Sequence, residues 1–178
     1  MKWIAALLFT TQTAWAACPA PANNAARLAD IITDIQQADG PETARNLTKF
    51  LWVIWLDAPD AMAQDLLDRG MAQSESQAFL EARDTFDALI AYCPDYAEGY
   101  NQRAYASFLR RDYHAALVDL EKALEIMPNH IAALSGKALT LIGMGRAAEG
   151  QEALRAALAL NPWLSERALI TEPAGTDI

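Results

Sequence analysis

Prolines fall thirty-four residues apart at Pro94, Pro128 and Pro162, and the residues ahead of each one repeat with them. Ahead of Pro128 stand Tyr100, Ala104, Tyr113, Ala116, Leu120, Ala123 and Leu124. One period later the same places hold Leu134, Ala138, Ala147, Gly150, Leu154, Ala157 and Leu158, and one period earlier Leu66, Gly70, Phe79, Ala82, Phe86, Leu89 and Ile90. A fixed period of this size marks stacked helix pairs. One pair cannot bury its apolar face alone, so neighbours must stack and about three units are the minimum. The fold class this predicts is all-α: an α-solenoid of antiparallel helix pairs with a terminal capping helix.

Local patterning agrees. Leu117, Leu120, Leu124 and Met127 recur at three- and four-residue steps, which places them on one helical face. Pro128 ends that helix, because proline lacks an amide hydrogen and clashes with the preceding turn.

The stretch from Ala97 to His130 resembles one unit of the tetratricopeptide repeat family. Ala104 matches the small residue that lets the two helices of a unit approach, Tyr113 the aromatic after the turn, Ala116 the second small residue, and Pro128 the end of the unit. The next unit, 131–164, has Ala147 in place of the aromatic and Gly150 as its second small residue. The earlier unit, 63–96, keeps Gly70, Phe79, Ala82 and Phe86 in register. The resemblance implies a non-enzymatic scaffold that binds a protein or peptide along a concave groove formed by the first helix of each unit. Carried over position by position, the groove residues are Leu67 and Met71, then Asn101, Tyr105 and Phe108, then Ser135, Leu139 and Ile142. Family members that clamp a terminal carboxylate place Lys, Arg and Asn there, and this chain keeps only Asn101. A largely apolar groove suits an amphipathic helix or an extended apolar segment. The same side chains at helical spacing also serve as packing residues.

Residues 1–16 read as a secretory signal: Lys2 gives the positive start, Trp3 to Phe9 the apolar core, and Ala14-Trp15-Ala16 the cleavage site. That core is shorter than the roughly 20 residues a membrane span needs. The expectation is an exported, periplasmic protein whose mature chain has no transmembrane span. Residues 17–62 then form an N-terminal arm and a degenerate helix pair. Leu28, Ile31, Ile32 and Ile35 lie at helical spacing after Asn23 or Asn24 as a cap, and a second helix runs from Pro41 to Leu56. Its centre, Phe50 to Leu56, is apolar all round, so it is buried on several sides or docks on a partner. As a first unit it is expected to pack on the helix that begins near Ala61. Residues 165–178 make the capping helix end and a mobile tail.

The charge balance, 14 basic against 23 acidic residues, excludes a nucleic-acid footprint, and there is no basic cluster for anionic lipid. His114 and His130 lack partners at useful spacing and read as exposed turn residues. Asp84, Asp87, Asp119 and Glu121 read as ordinary helix-surface charges. No phosphate loop, nucleophile elbow or zinc spacing appears, so no enzyme, cofactor or metal is expected. Cys18 and Cys93 form a possible disulfide, since six extended residues before the first helix reach about 20 Å. Cys18 also ends a stretch similar to a lipobox, so a lipid anchor through Cys18 and two free thiols stay open. Two functions follow: an envelope interaction scaffold, or a structural or regulatory subunit docked in a larger complex through the apolar helix 50–56.

Overall fold

The computed structural model describes residues 17–171; the signal sequence expected at 1–16 and the tail 172–178 lie outside them. Eight α-helices follow in order: α1 (Ala25–Gln36), α2 (Pro41–Trp55), α3 (Ala61–Glu75), α4 (Phe79–Tyr92), α5 (Ala97–Leu109), α6 (Tyr113–Ile126), α7 (Ile131–Gly143) and α8 (Ala147–Leu160). Helices α3/α4, α5/α6 and α7/α8 pair as antiparallel hairpins, and each hairpin stacks on the next through α4/α5 and α6/α7. No strand occurs among the described residues. The chain is a helical solenoid.

The repeating prolines do what their chemistry requires. Helices α4, α6 and α8 stop at Tyr92, Ile126 and Leu160, two residues before Pro94, Pro128 and Pro162. The turns inside the repeats also keep the period. Gln77, Arg111 and Gly145 all take positive φ, at 63°, 61° and 79°. The following amides reach back to Gln73, Ser107 and Leu141, closing the same C-terminal cap three times. Asp60 starts α3 by accepting the Ala63 amide at 2.8 Å and the Tyr92 hydroxyl at 2.6 Å. Those two bonds, the amide first, hold its carboxyl below the usual range.

Close helix contact explains the small residues of the repeat. A Cβ on Gly70 would fall 2.4 Å from the ring of Phe86, which is fully buried between α3 and α4. A Cβ on Gly150 would meet Ile142 at 2.7 Å. The matching positions Ala82, Ala104, Ala116 and Ala138 are all buried.

The N-terminal pair is placed differently from its expected stacking on α3. Its apolar face, Leu28, Ile32 and Ile35 of α1 with Leu51, Ile54 and Trp55 of α2, forms one core with Ile131, and Met127, Leu160, Trp163 and Leu164 pack onto it. Two long-range bonds fix this arrangement: the Gln36 amide donates to the Ala159 carbonyl, and the Asn161 amide to the Thr48 hydroxyl. The first pair therefore lies against the last repeat. The physical reason is that helical periodicity defines which face must be buried, while the face that covers it is a matter of chain path. Phe50 and Val53, on the opposite side of α2, remain 52% and 63% exposed.

Two ties hold both ends of this pair at one corner of the stack. Cys18, ahead of α1, is joined by a disulfide to Cys93 at the end of α4, with Cα atoms 5.2 Å apart. Trp55, at the end of α2, accepts the Tyr96 hydroxyl on its carbonyl at 2.5 Å. Burial, and after it the charges of Glu98, Asp57 and Asp68, raise the pKa of the Tyr96 phenol.

Asp119 also departs from its expected place on the helix surface. It is buried on α6 and takes a bidentate pair from Arg103, Nε at 2.8 Å and Nη2 at 2.5 Å, while Arg103 Nη1 reaches Asp87 at 2.6 Å. One guanidinium thus joins α4, α5 and α6, a fork geometry that suits arginine. The C-terminal cap is a short 3₁₀ helix, Ser165–Leu169, rather than an α-helix. It is held to α8 by Gln151, whose amide donates to the Leu169 carbonyl at 2.8 Å.

Candidate binding groove

Helices α3, α5 and α7 line the inner face of the stack, and α2 runs along one side of it. Between them lies a cavity of about 740 Å³. Its wall is mainly apolar: Trp52 and Trp55 from α2, Met71 from α3, Tyr105 and Phe108 from α5, and Leu139 from α7. Leu164 and Glu166, from the turn after α8, close another side. The open groove of a helix-pair stack has become a partly enclosed pocket because the first pair folds back over it. Volumes of about 300–1,000 Å³ are those of pockets that surround a small ligand or a few side chains.

Of the eight groove positions expected from the repeat, six line this cavity: Met71, Asn101, Tyr105, Phe108, Ser135 and Leu139. Leu67 is instead fully buried in the core with Phe86 and Leu89. Ile142 packs toward Gly150, between α7 and α8. Repeat register alone had no means of finding Trp52, Trp55 or Glu166, because they enter from outside the repeats. The one sequence signal for the tryptophans is their i, i+3 spacing on an all-apolar helix. They meet edge to face with centroids 5.3 Å apart.

One end of the cavity is built on a buried polar cluster. His130, expected as an exposed turn residue, is fully buried. Its Nδ1 accepts the Ala133 amide at 3.3 Å and so caps the start of α7. With Nδ1 accepting, Nε2 carries the proton and donates to Glu98 Oε2 at 2.8 Å. The other oxygen of Glu98 accepts from the amides of Asn101, at 3.1 Å, and Gln102, at 2.6 Å. Buried polar groups require such partners, and here each has one. The Trp55 indole covers the imidazole as a stacked ring. His130 was missed because its burial depends on α2, which is remote in sequence. His114 is exposed, as expected, but lies in the first turn of α6 rather than in the loop before it.

Comparisons with known proteins address the repeats directly. Residues 107–163 match the family model of the tetratricopeptide repeat. Over those residues the stack is similar to the tetratricopeptide repeat. A tetratricopeptide repeat-containing protein of Rhizobium etli is 31% identical over 119 residues, which are 67% of this chain and 58% of that protein. The chain thus spans little more than half the length of that relative.

Solved tetratricopeptide structures share the fold over about three fifths of the chain. The first tetratricopeptide domain of Spaghetti, bound to an HSP90 peptide, is 20% identical with a TM-score of 0.60, covering 62% of this chain and 88% of that one. The TPR2B domain of yeast Sti1, in complex with an Hsp70 peptide, is 25% identical with a TM-score of 0.58, covering 62% and 90%. Beside these, the groove described above has Asn101, and its side-chain amide is turned to Glu98. Among the described residues no helix is long and apolar enough to cross a membrane.

Proposed function

We propose that this chain is a protein-interaction scaffold of the cell envelope, holding a short apolar segment of a partner in the cavity between α2 and the inner helices of the repeats. The observation that carries this reading is the aromatic wall of Trp52, Tyr105 and Phe108, with Tyr105 left 52% exposed on a face where a packing residue would be covered. Aromatic anchors in concave sites carry most of the energy of peptide binding. The likeness to domains that hold HSP90 and Hsp70 peptides supports a peptide as the ligand class. Export is supported by the signal sequence at 1–16 and by the Cys18–Cys93 bridge, since disulfides persist in oxidising compartments.

Affinity capture from the native envelope, followed by mass spectrometry, tests the reading. Tyr105→Ala and Leu139→Ala should each weaken capture, about thirtyfold for the aromatic, at unchanged melting temperature. Full capture by a folded Tyr105→Ala variant would remove the cavity as the site. A second reading rests on Phe50 and Val53, the exposed apolar pair of α2: permanent docking in a larger complex. It predicts that Phe50→Ser with Val53→Ser abolishes capture while Tyr105→Ala does not.

A further inference from the structure

Granted that the cavity holds a partner segment, its wall decides the charge that segment brings. Each inner helix carries one cation, and none of the three lines the cavity. Arg69 of α3 pairs with Asp65 of the same helix. Arg103 of α5 is taken by Asp87 and Asp119, on the outer helices α4 and α6. Lys137 of α7 pairs with Glu121 of α6. Among the described residues the charged ones in the wall are acidic, Glu75 and Glu166. Glu166 is fixed in place, one oxygen accepting the Ser135 hydroxyl at 2.9 Å and the other the Ser165 hydroxyl at 3.0 Å. Hydroxyl partners orient a carboxylate without cancelling its charge. Glu75 is exposed at the end of α3 and forms no ion pair among the described residues.

We infer that the cavity selects a short apolar segment bearing a lysine or arginine, and turns away one bearing an acidic residue or a free carboxylate. This rests on the cavity being the partner site. Among the described residues an anionic end has no cation to meet in the wall itself, since Arg45, Lys49 and Arg167 line the cleft on the far side of Trp52 and Leu164. The one amide at a groove position, that of Asn101, is already bonded to Glu98. A cation entering the cavity meets two carboxylates and the faces of Trp52, Tyr105 and Phe108, where ring quadrupoles attract positive charge. Like-charge contact at an interface acts against wrong partners more strongly than it adds affinity for right ones. The chain as a whole, with a net charge of −9, favours the same ligands at longer range.

The test is selection of random ten-residue peptides displayed on phage against the full mature chain, followed by calorimetry of the best binder. Matched peptides would carry norleucine or Glu in place of its basic residue. Selected sequences should be rich in Lys and Arg beside apolar residues, and the Glu version should bind about tenfold more weakly than the basic one. Glu75→Gln with Glu166→Gln should remove most of that preference, read as the ratio of basic to norleucine peptide affinity. Because Glu166 also supports the 3₁₀ cap, Glu75→Gln alone serves as a second variant and should narrow the preference part-way. Selection of acidic or carboxylate-ended peptides, or a basic preference that survives both variants, would overturn the inference while leaving the cavity as a site. Binding of every selected peptide unchanged by Tyr105→Ala would remove the site itself.

Discussion

The indole of Trp55 lies flat on the imidazole of His130, with ring centroids 4.2 Å apart and planes 16° apart. Trp55 ends the N-terminal helix pair and His130 begins α7, so this stack joins the first unit of the chain to a late one. It also covers the His130–Glu98 pair, which is thereby removed from solvent.

Removing His130 leaves the Glu98 carboxylate buried without its partner and the Ala133 amide without its cap. His130→Ala should cost about 3 kcal/mol in urea unfolding, the sum expected for a buried carboxylate that loses a hydrogen-bond donor and a helix that loses its cap. His114→Ala, at an exposed position, should stay within about 0.5 kcal/mol. Equal effects at the two histidines would contradict the burial of His130.

Gly70→Ala should destabilise by about 1–3 kcal/mol, because the new methyl falls against the buried ring of Phe86. Gly40→Ala is the control, since nothing stands within 4 Å of its added methyl. Thermal melts of the two variants settle the register of the first repeat. A silent Gly70→Ala would mean that α3 and α4 do not approach there.

The intra-repeat turns contain two non-glycine residues in the left-handed region, Gln77 and Arg111, where the third repeat has Gly145. Arg111→Gly should therefore raise stability by about 0.5–1 kcal/mol, contrary to the usual effect of glycine. Loss of stability on that substitution would show that the exposed Arg111 side chain contributes more than the strain it carries.

Alkaline titration should leave Tyr96 protonated until the fold opens. The phenol of Tyr96 has a raised pKa, through burial first and then the nearby carboxylates. A group whose pKa is raised on folding lends stability that is complete below its ordinary value near 10 and is lost as pH rises beyond it. Absorbance near 295 nm should show a late tyrosine step, that of Tyr96, appearing only as the helices melt. Tyr96→Phe should remove that late step and cost about 1 kcal/mol at neutral pH, because the Trp55 carbonyl loses its donor.

Much of the architecture was legible in the sequence because its causes are local. Proline stops a helix through its own ring, glycine and alanine permit close approach through their own size, and a three-to-four-residue spacing defines an apolar face. Those causes placed the ends of α4, α6 and α8, the start of α2 at Pro41 and the paired helices of the repeats. Six of the eight groove positions reach the cavity for the same reason, since each follows from register within one helix. Leu67 and Ile142 fall elsewhere because register says which stripe a residue occupies but not how far the stripe is covered by its neighbours. The fold-back of α1 and α2 onto α7 and α8 was decided by tertiary structure, since any apolar face of suitable shape satisfies the hydrophobic requirement. From that one choice follow the burial of His130, the tryptophan wall and the closure of the groove into a pocket. The position of Asp119 was likewise decided by a partner, Arg103, on another helix. Periodicity specifies the faces of this protein; long-range packing and pairing specify which faces meet.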